Sequence, residues 1–164
     1  MHIEKSEKIF LGLGVVLMVL ALIAIGASVF ASNIHLPAPT GRVDARTVAE
    51  TPPFDTPGYR EVEPGKYEAI IRAYRFGFLG FDYDSETQTS SMTVPAGSEI
   101  TFKLVSTDVV HGFMINDTAI NAMVIPGQIT TVTQTFDEPG EYLVVCHEYC
   151  GAQHHLMYAK VVVV

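Results

Sequence analysis

Basic residues are scarce in this chain, with ten Lys and Arg against 18 Asp and Glu. The first 32 residues are balanced, Glu4 and Glu7 against Lys5 and Lys8, so the formal net charge of −8 falls on the remainder. A surface this poor in positive charge argues against nucleic acid as a partner. It suits plain solubility, or the steering of a basic protein partner. Internal repeats are lacking too. The longest stretch without charge is also the most apolar: residues 9–31 read IFLGLGVVLMVLALIAIGASVFA without an ionisable side chain. About 20 apolar residues at 1.5 Å rise cross a hydrocarbon core of about 30 Å, so this stretch is expected to be a single membrane-spanning helix. A cleaved signal would have a shorter apolar run and a clear small-x-small site, and Ala27 and Ala31 offer only a weak one.

Lys5 and Lys8 precede the span and Arg42 and Arg46 follow it, so the positive-inside bias is close to a tie. The mass of chain after the span, and its chemistry, place the N-terminus inside and the C-terminal domain outside. Residues 1–33 are therefore expected to be the anchor. Residues 34–64 carry Pro37, Pro39, Pro52, Pro53, Pro57 and Pro64. That density cannot sustain helix or a central strand, so the segment is expected to be a linker. His2 and His35 flank the membrane in this scheme.

From residue 65 onward the pattern changes to short β-branched and aromatic runs. Strands are expected at 66–74, 99–106, 129–136, 141–146 and 158–164, punctuated by Pro95-Ala96-Gly97, Pro126-Gly127 and Pro139-Gly140. Several strands in about 100 residues imply a two-sheet β-sandwich. The polar run at 82–91 is expected to be a mobile loop, and Asn116-Asp117-Thr118 a plain turn. Met114 and Met123 are assigned to core packing.

Both cysteines of the chain lie in CHEYCGAQHHLM, residues 146–157. Thiolate, imidazole and thioether donors thus occur within twelve residues, and these are the soft ligands that copper selects. His111 follows a predicted strand, where one end of a sandwich brings it beside the later loop. A disulfide leaves His111, His154 and Met157 without a purpose. Zinc seldom takes methionine. Two copper arrangements remain open on residue types: a mononuclear blue site from His111, Cys150, His154 and Met157, or two metals bridged by Cys146 and Cys150.

The stretch resembles the CuA domain of cytochrome oxidase subunit II, whose motif is similar to Cys-x-Glu-x-Cys-Gly-x-x-His-x-x-Met. Cys146, Glu148, Cys150, Gly151, His154 and Met157 match it in register, and His111-Gly112-Phe113 looks like the family's upstream histidine segment. One span resembles the shorter subunits of B-type oxidases. The resemblance implies an all-β, cupredoxin-like Greek-key sandwich over 65–164, behind one transmembrane helix. It implies two copper ions, with Cys146 and Cys150 bridging, His111 and Met157 completing one copper, and His154 with the Glu148 carbonyl completing the other. Magnesium at the border with subunit I, through the Glu148 carboxylate, is a further implication.

The resemblance also implies a subunit of a proton-translocating cytochrome c oxidase, not catalytic alone, in the plasma membrane of a prokaryote. Its partners are the haem-containing subunit I and a donor, cytochrome c or a small blue-copper protein. A membrane-tethered blue-copper carrier and the CuA subunit of a nitric oxide reductase are the alternatives. Tryptophan is absent, although many relatives accept electrons through one. The aromatic segment AYRFGF offers Tyr74, Phe76 and Phe78 instead, Phe76 best by register. Glu61, Glu63, Asp82, Asp84 and Glu86 are expected to surround it. His147 and His155 are surplus imidazoles that do not fit the ligand spacing.

Overall fold

The computed structural model describes residues 4–31 and 39–164. Pro37, His2 and His35 lie outside the described residues. Two compact units result, one holding the N-terminal helix and the other holding every strand.

Helix α1, Lys5–Ala31, is 27 residues long and has no buried residue. Its length and its surface, apolar on every side from Ile9 onward, fit a membrane span, since such a helix has no aqueous face to prefer.

The strand unit is a sandwich of two mixed sheets. Its strands are β1 (Pro39–Arg42), β2 (Gly58–Glu63), β3 (Lys66–Tyr74), β4 (Gly77–Leu79), β5 (Asp82–Asp84) and β6 (Thr89–Val94). They continue as β7 (Ser98–Ser106), β8 (His111–Ile115), β9 (Asn121–Val124), β10 (Gln128–Phe136), β11 (Gly140–Val145) and β12 (Tyr158–Val163). One sheet runs β1-β10-β7-β3-β2 with β4 attached to β3, and the other runs β5-β6-β12-β11-β8-β9. From β7 the chain crosses to β8 and β9, returns to β10, and crosses again to β11 and β12, as Greek-key connections do. The expected all-β sandwich behind one apolar helix is therefore present.

Alternation explains the core. On β7 the side chains of Ile100, Phe102 and Leu104 are buried, and on β12 those of Ala159, Val161 and Val163. Phe102 and Phe113 meet across the sandwich with ring centroids 5.3 Å apart. Burying one such side chain contributes about 1.5–3 kcal/mol. The five predicted strands appear within about one residue at each end.

The segment read as a linker needs correction. It supplies β1 and β2, and both are edge strands. Proline is excluded from central ladders but tolerated there: Pro39 opens β1 where no inner donor is needed. Between them Val48 and Phe54 pack on Ile70 and Val105, on the outer face of the first sheet. The strand unit therefore starts well before residue 65.

The polar run at 82–91 is likewise no loop. It is the hairpin of β5 and β6, paired Asp82↔Ser91 through Asp84↔Thr89. Its turn is made by Asp84, whose carboxylate accepts from the Glu86 N–H and the Thr87 hydroxyl, each at 2.8 Å. Met123 is also not core, being 46% exposed.

Candidate metal centre

Strand registers bring the donors together at one end of the sandwich. The last pair of the β11–β12 ladder is Val145↔Tyr158, so residues 146–157 leave and rejoin the sheet at one rung, on neighbouring strands. The Cys146 N–H donates to the Met157 carbonyl at 3.2 Å and closes the loop. Within it a 3-10 turn, His154–Leu156, presents the imidazole of His154. Strand β8 pairs Met114 with Val145, so its first residue, His111, overhangs β11 and reaches the loop. His111 is fully buried.

The donor atoms of His111, Cys146 and Cys150 all lie within 4.8 Å of one another. The two Sγ atoms stand 3.9 Å apart. His111 Nδ1 lies 3.9 Å from Cys146 Sγ, and His154 Nδ1 lies 3.6 Å from Cys150 Sγ. Met157 Sδ is 3.7 Å from Cys150 Sγ, and the Glu148 carbonyl oxygen is 3.2 Å from Cys146 Sγ. Two donors about 2.0–2.3 Å from a shared tetrahedral metal stand about 3.3–3.8 Å apart; the His154–Cys150 and Met157–Cys150 separations fall in that range, and the two at 3.9 Å lie just beyond it. The donor set fits copper. Among the remaining imidazoles, His155 is exposed. His147 lies with Nε2 3.8 Å from the Glu148 carboxylate.

Burial pushes the Cys150 thiol up to about 11, with the neighbouring Cys146 adding to the effect. Near neutral pH the thiol is therefore protonated, and a metal must displace that proton. Part of the compensation is built in, because the Gly112 N–H points at Cys146 Sγ from 3.4 Å. A side chain at Gly112 would collide with the His147 ring and backbone.

Asp108, which the sequence reading did not single out, backs the site. Its Oδ1 lies 2.8 Å from His111 Nε2 and accepts from the Val109 N–H at 2.7 Å. Its Oδ2 accepts from the Arg75 N–H at 2.9 Å and from Arg75 Nε at 3.2 Å. Burial works to raise the Asp108 pKa, and these hydrogen bonds, led by that of His111, outweigh it and hold it below the usual carboxylate value. The signal was an Asp three residues before a candidate ligand, a pattern too common to stand out.

The three aromatics proposed for electron uptake separate in the structure. Phe78 is 5% exposed and meets Phe113 edge-on at 5.5 Å, so it is core and not surface. It sits on β4, whose pairing with β3 turns it inward. Tyr74 is 39% exposed. Phe76 lies against the ligand loop: a Cβ on Gly151 would come within 2.9 Å of its ring. Tyr149, which no spacing rule marks, is 80% exposed and stands edge-on to His154 at 5.8 Å.

The expected acidic surround separates as well. Glu61 and Glu63 pair with Tyr67 and Lys66 at the end of β3 opposite Tyr74. Asp82 accepts from the Tyr59 hydroxyl at 3.1 Å. Only the Asp84–Glu86 turn projects at the metal end, since β6 runs parallel to β12.

Sandwich and cluster define a β-domain built to hold a soft metal at one end. Residues 82–164 match the family described as cytochrome c oxidase subunit II, periplasmic domain. Cytochrome c oxidase subunit 2 of Thermus thermophilus is 35% identical over 162 residues, covering 98% of this chain and 90% of that one. Heme-copper oxidase subunit 2 of Aeropyrum pernix is 34% identical over 115 residues, covering 65% of this chain and 49% of that one. A chain of a heme-copper terminal oxidase dimer superposes with a TM-score of 0.73 at 30% identity, covering 98% of this chain and all of that one. The periplasmic domain of CoxB from Bradyrhizobium japonicum, 19% identical with a TM-score of 0.53 over 59% of this chain and 83% of that one, shares the fold. The chain belongs to the cytochrome c oxidase subunit II family. It is a subunit of a haem-copper oxidase, an oxidoreductase complex in which subunit I is its membrane partner.

Proposed function

We propose that this subunit accepts single electrons from cytochrome c or a small blue-copper protein and passes them to haem in subunit I, where oxygen is reduced. The site would hold a two-copper CuA centre: Cys146 and Cys150 would supply thiolates to both metals, His111 and Met157 would complete one, and His154 and the Glu148 carbonyl would complete the other. The observation that carries this reading is the pairing of donors. The two sulfurs face each other at 3.9 Å, and each has its own imidazole, His111 beside Cys146 and His154 beside Cys150. A mononuclear blue site needs one thiolate and leaves the other sulfur idle inside the cluster.

When bound, two coppers sharing two thiolates spread one electron over both metals, so little geometry changes on reduction. The chain's own contribution is rigidity and exclusion of water. His111, Cys146, Cys150 and Met157 are all buried, and the Gly112 N–H offsets charge on one sulfur. Phe76, packed on Gly151, is the uptake residue best placed against the loop, with Tyr74 beside it on the adjoining strand. The Glu148 carboxylate is 40% exposed and is available to a magnesium ion where subunit I docks. The anchor runs over residues 1–33, and the β-unit stands on the outer face of a prokaryotic plasma membrane.

The test is copper content and spectrum of the full chain in detergent. Two coppers per chain with a purple mixed-valence spectrum are expected. One copper with a blue spectrum would sink the reading in favour of a tethered blue-copper carrier. Co-purification with a nitric oxide-reducing partner, rather than an oxygen-reducing one, would reassign the complex and leave the centre intact.

A further inference from the structure

Two turns meet behind the metal cluster, and one carboxylate joins them. Asp108 lies in the β7–β8 connection. Through Oδ1 it meets Nε2 of the buried ligand His111 at 2.8 Å, and through Oδ2 it receives the Arg75 N–H and Nε at 2.9 and 3.2 Å. The β3–β4 turn held in this way carries Phe76, whose ring lies against Gly151 of the ligand loop. The same two turns are joined a second time, because the Thr107 N–H and hydroxyl both donate to the Ala73 carbonyl, at 3.1 and 3.2 Å.

We infer that Asp108 is a positioning residue that fixes which nitrogen of His111 faces the metal and locks that ligand to the turn carrying Phe76. A neutral imidazole has one N–H and one lone pair. An acceptor at Nε2 keeps the proton there, so the lone pair is left on Nδ1, the nitrogen 3.9 Å from Cys146 Sγ. With its second oxygen committed to Arg75, the carboxylate cannot rotate without releasing the turn. Ring orientation and the seating of Phe76 on the loop are thus coupled through one side chain. Among the described residues no carboxylate braces the His154 ring in this way; it meets the exposed Tyr149 edge-on. The two imidazoles are therefore unequally constrained, His111 rigidly and His154 loosely.

The inference rests on the two-copper reading, and one experiment separates the two. The full chain in detergent is titrated with copper salt as parent, Asp108→Asn, Asp108→Ala and Arg75→Gln, and the imidazole hyperfine signals are recorded by electron–nuclear double resonance. In both Asp108 variants the signal of one histidine shifts while the other stays, and copper affinity falls about 10- to 100-fold. The thermal transition of Asp108→Asn stays at the parent value, and hydrogen exchange at the Arg75 amide quickens. Arg75→Gln keeps the backbone N–H donation and leaves both histidine signals unchanged. Identical signals and affinity in parent and Asp108→Asn overturn the positioning inference. So does a loss of both signals together with the thermal transition, since that is a folding effect. A parent that binds one copper through one thiolate overturns the two-copper reading instead.

Discussion

At the residue scale the centre depends on small atoms as much as on ligands. Gly151 has φ +134, a backbone conformation that suits glycine, and a side chain there would press on the Phe76 ring from 2.9 Å. Gly151→Ala is expected to retain the fold and weaken copper binding at least tenfold, read by copper titration against circular dichroism. The surplus histidines give a sharper contrast. His154 Nδ1 lies 3.6 Å from Cys150 Sγ, whereas His155 points into solvent. Replacing His155 by Ala should leave copper content and spectrum at parent values, and replacing His154 by Ala should abolish the mixed-valence spectrum.

The ligand residues were legible because one loop and one overhanging strand carry them all, and the spacing from Cys146 to Met157 is set by local chain geometry. Asp108 and Tyr149 were not. Their importance comes from which strand ends happen to meet, and spacing along the chain holds no record of that.

At the element scale, legibility followed burial. β12 alternates along its length and β7 as far as Leu104, because one face of each is core, and their bounds were readable to about a residue. The edge strands β1 and β2 have almost no buried side chain, so their sequences show no period and their prolines pointed to a linker. What attaches this segment is a separate small cluster, Val48 and Phe54 on Ile70 and Val105. Phe54→Ala should cost about 3–5 kcal/mol, seen as a lower midpoint in denaturant. Its copper spectrum should not change, because the cluster lies on the outer face of the sheet.

At the scale of the whole molecule, composition gave the sign of the charge and topology gives its placement. Glu61 and Glu63 sit at the end of the sandwich away from the cluster, and Glu63 is already paired with Lys66 at 2.9 Å. The Asp84–Glu86 turn is at the cluster end. Electron transfer from a basic donor should therefore slow with salt. Changing Asp84 and Glu86 to their amides should flatten that dependence, and changing Glu61 and Glu63 should not. Stopped-flow reduction across a range of ionic strength checks both pairs.

The closure of the ligand loop has a consequence for how such a protein changes over time. Residues 146–157 begin and end at a single rung, Val145↔Tyr158, tied by the hydrogen bond from the Cys146 N–H to the Met157 carbonyl. The β11–β12 pair therefore fixes only where the loop leaves and where it returns, not what lies between. Apart from His111 and its Asp108 brace, the chemistry is carried by a detachable cassette. Substituting a loop of different length, with one cysteine in place of two, would reassign the metal count while the scaffold beneath kept its pairing.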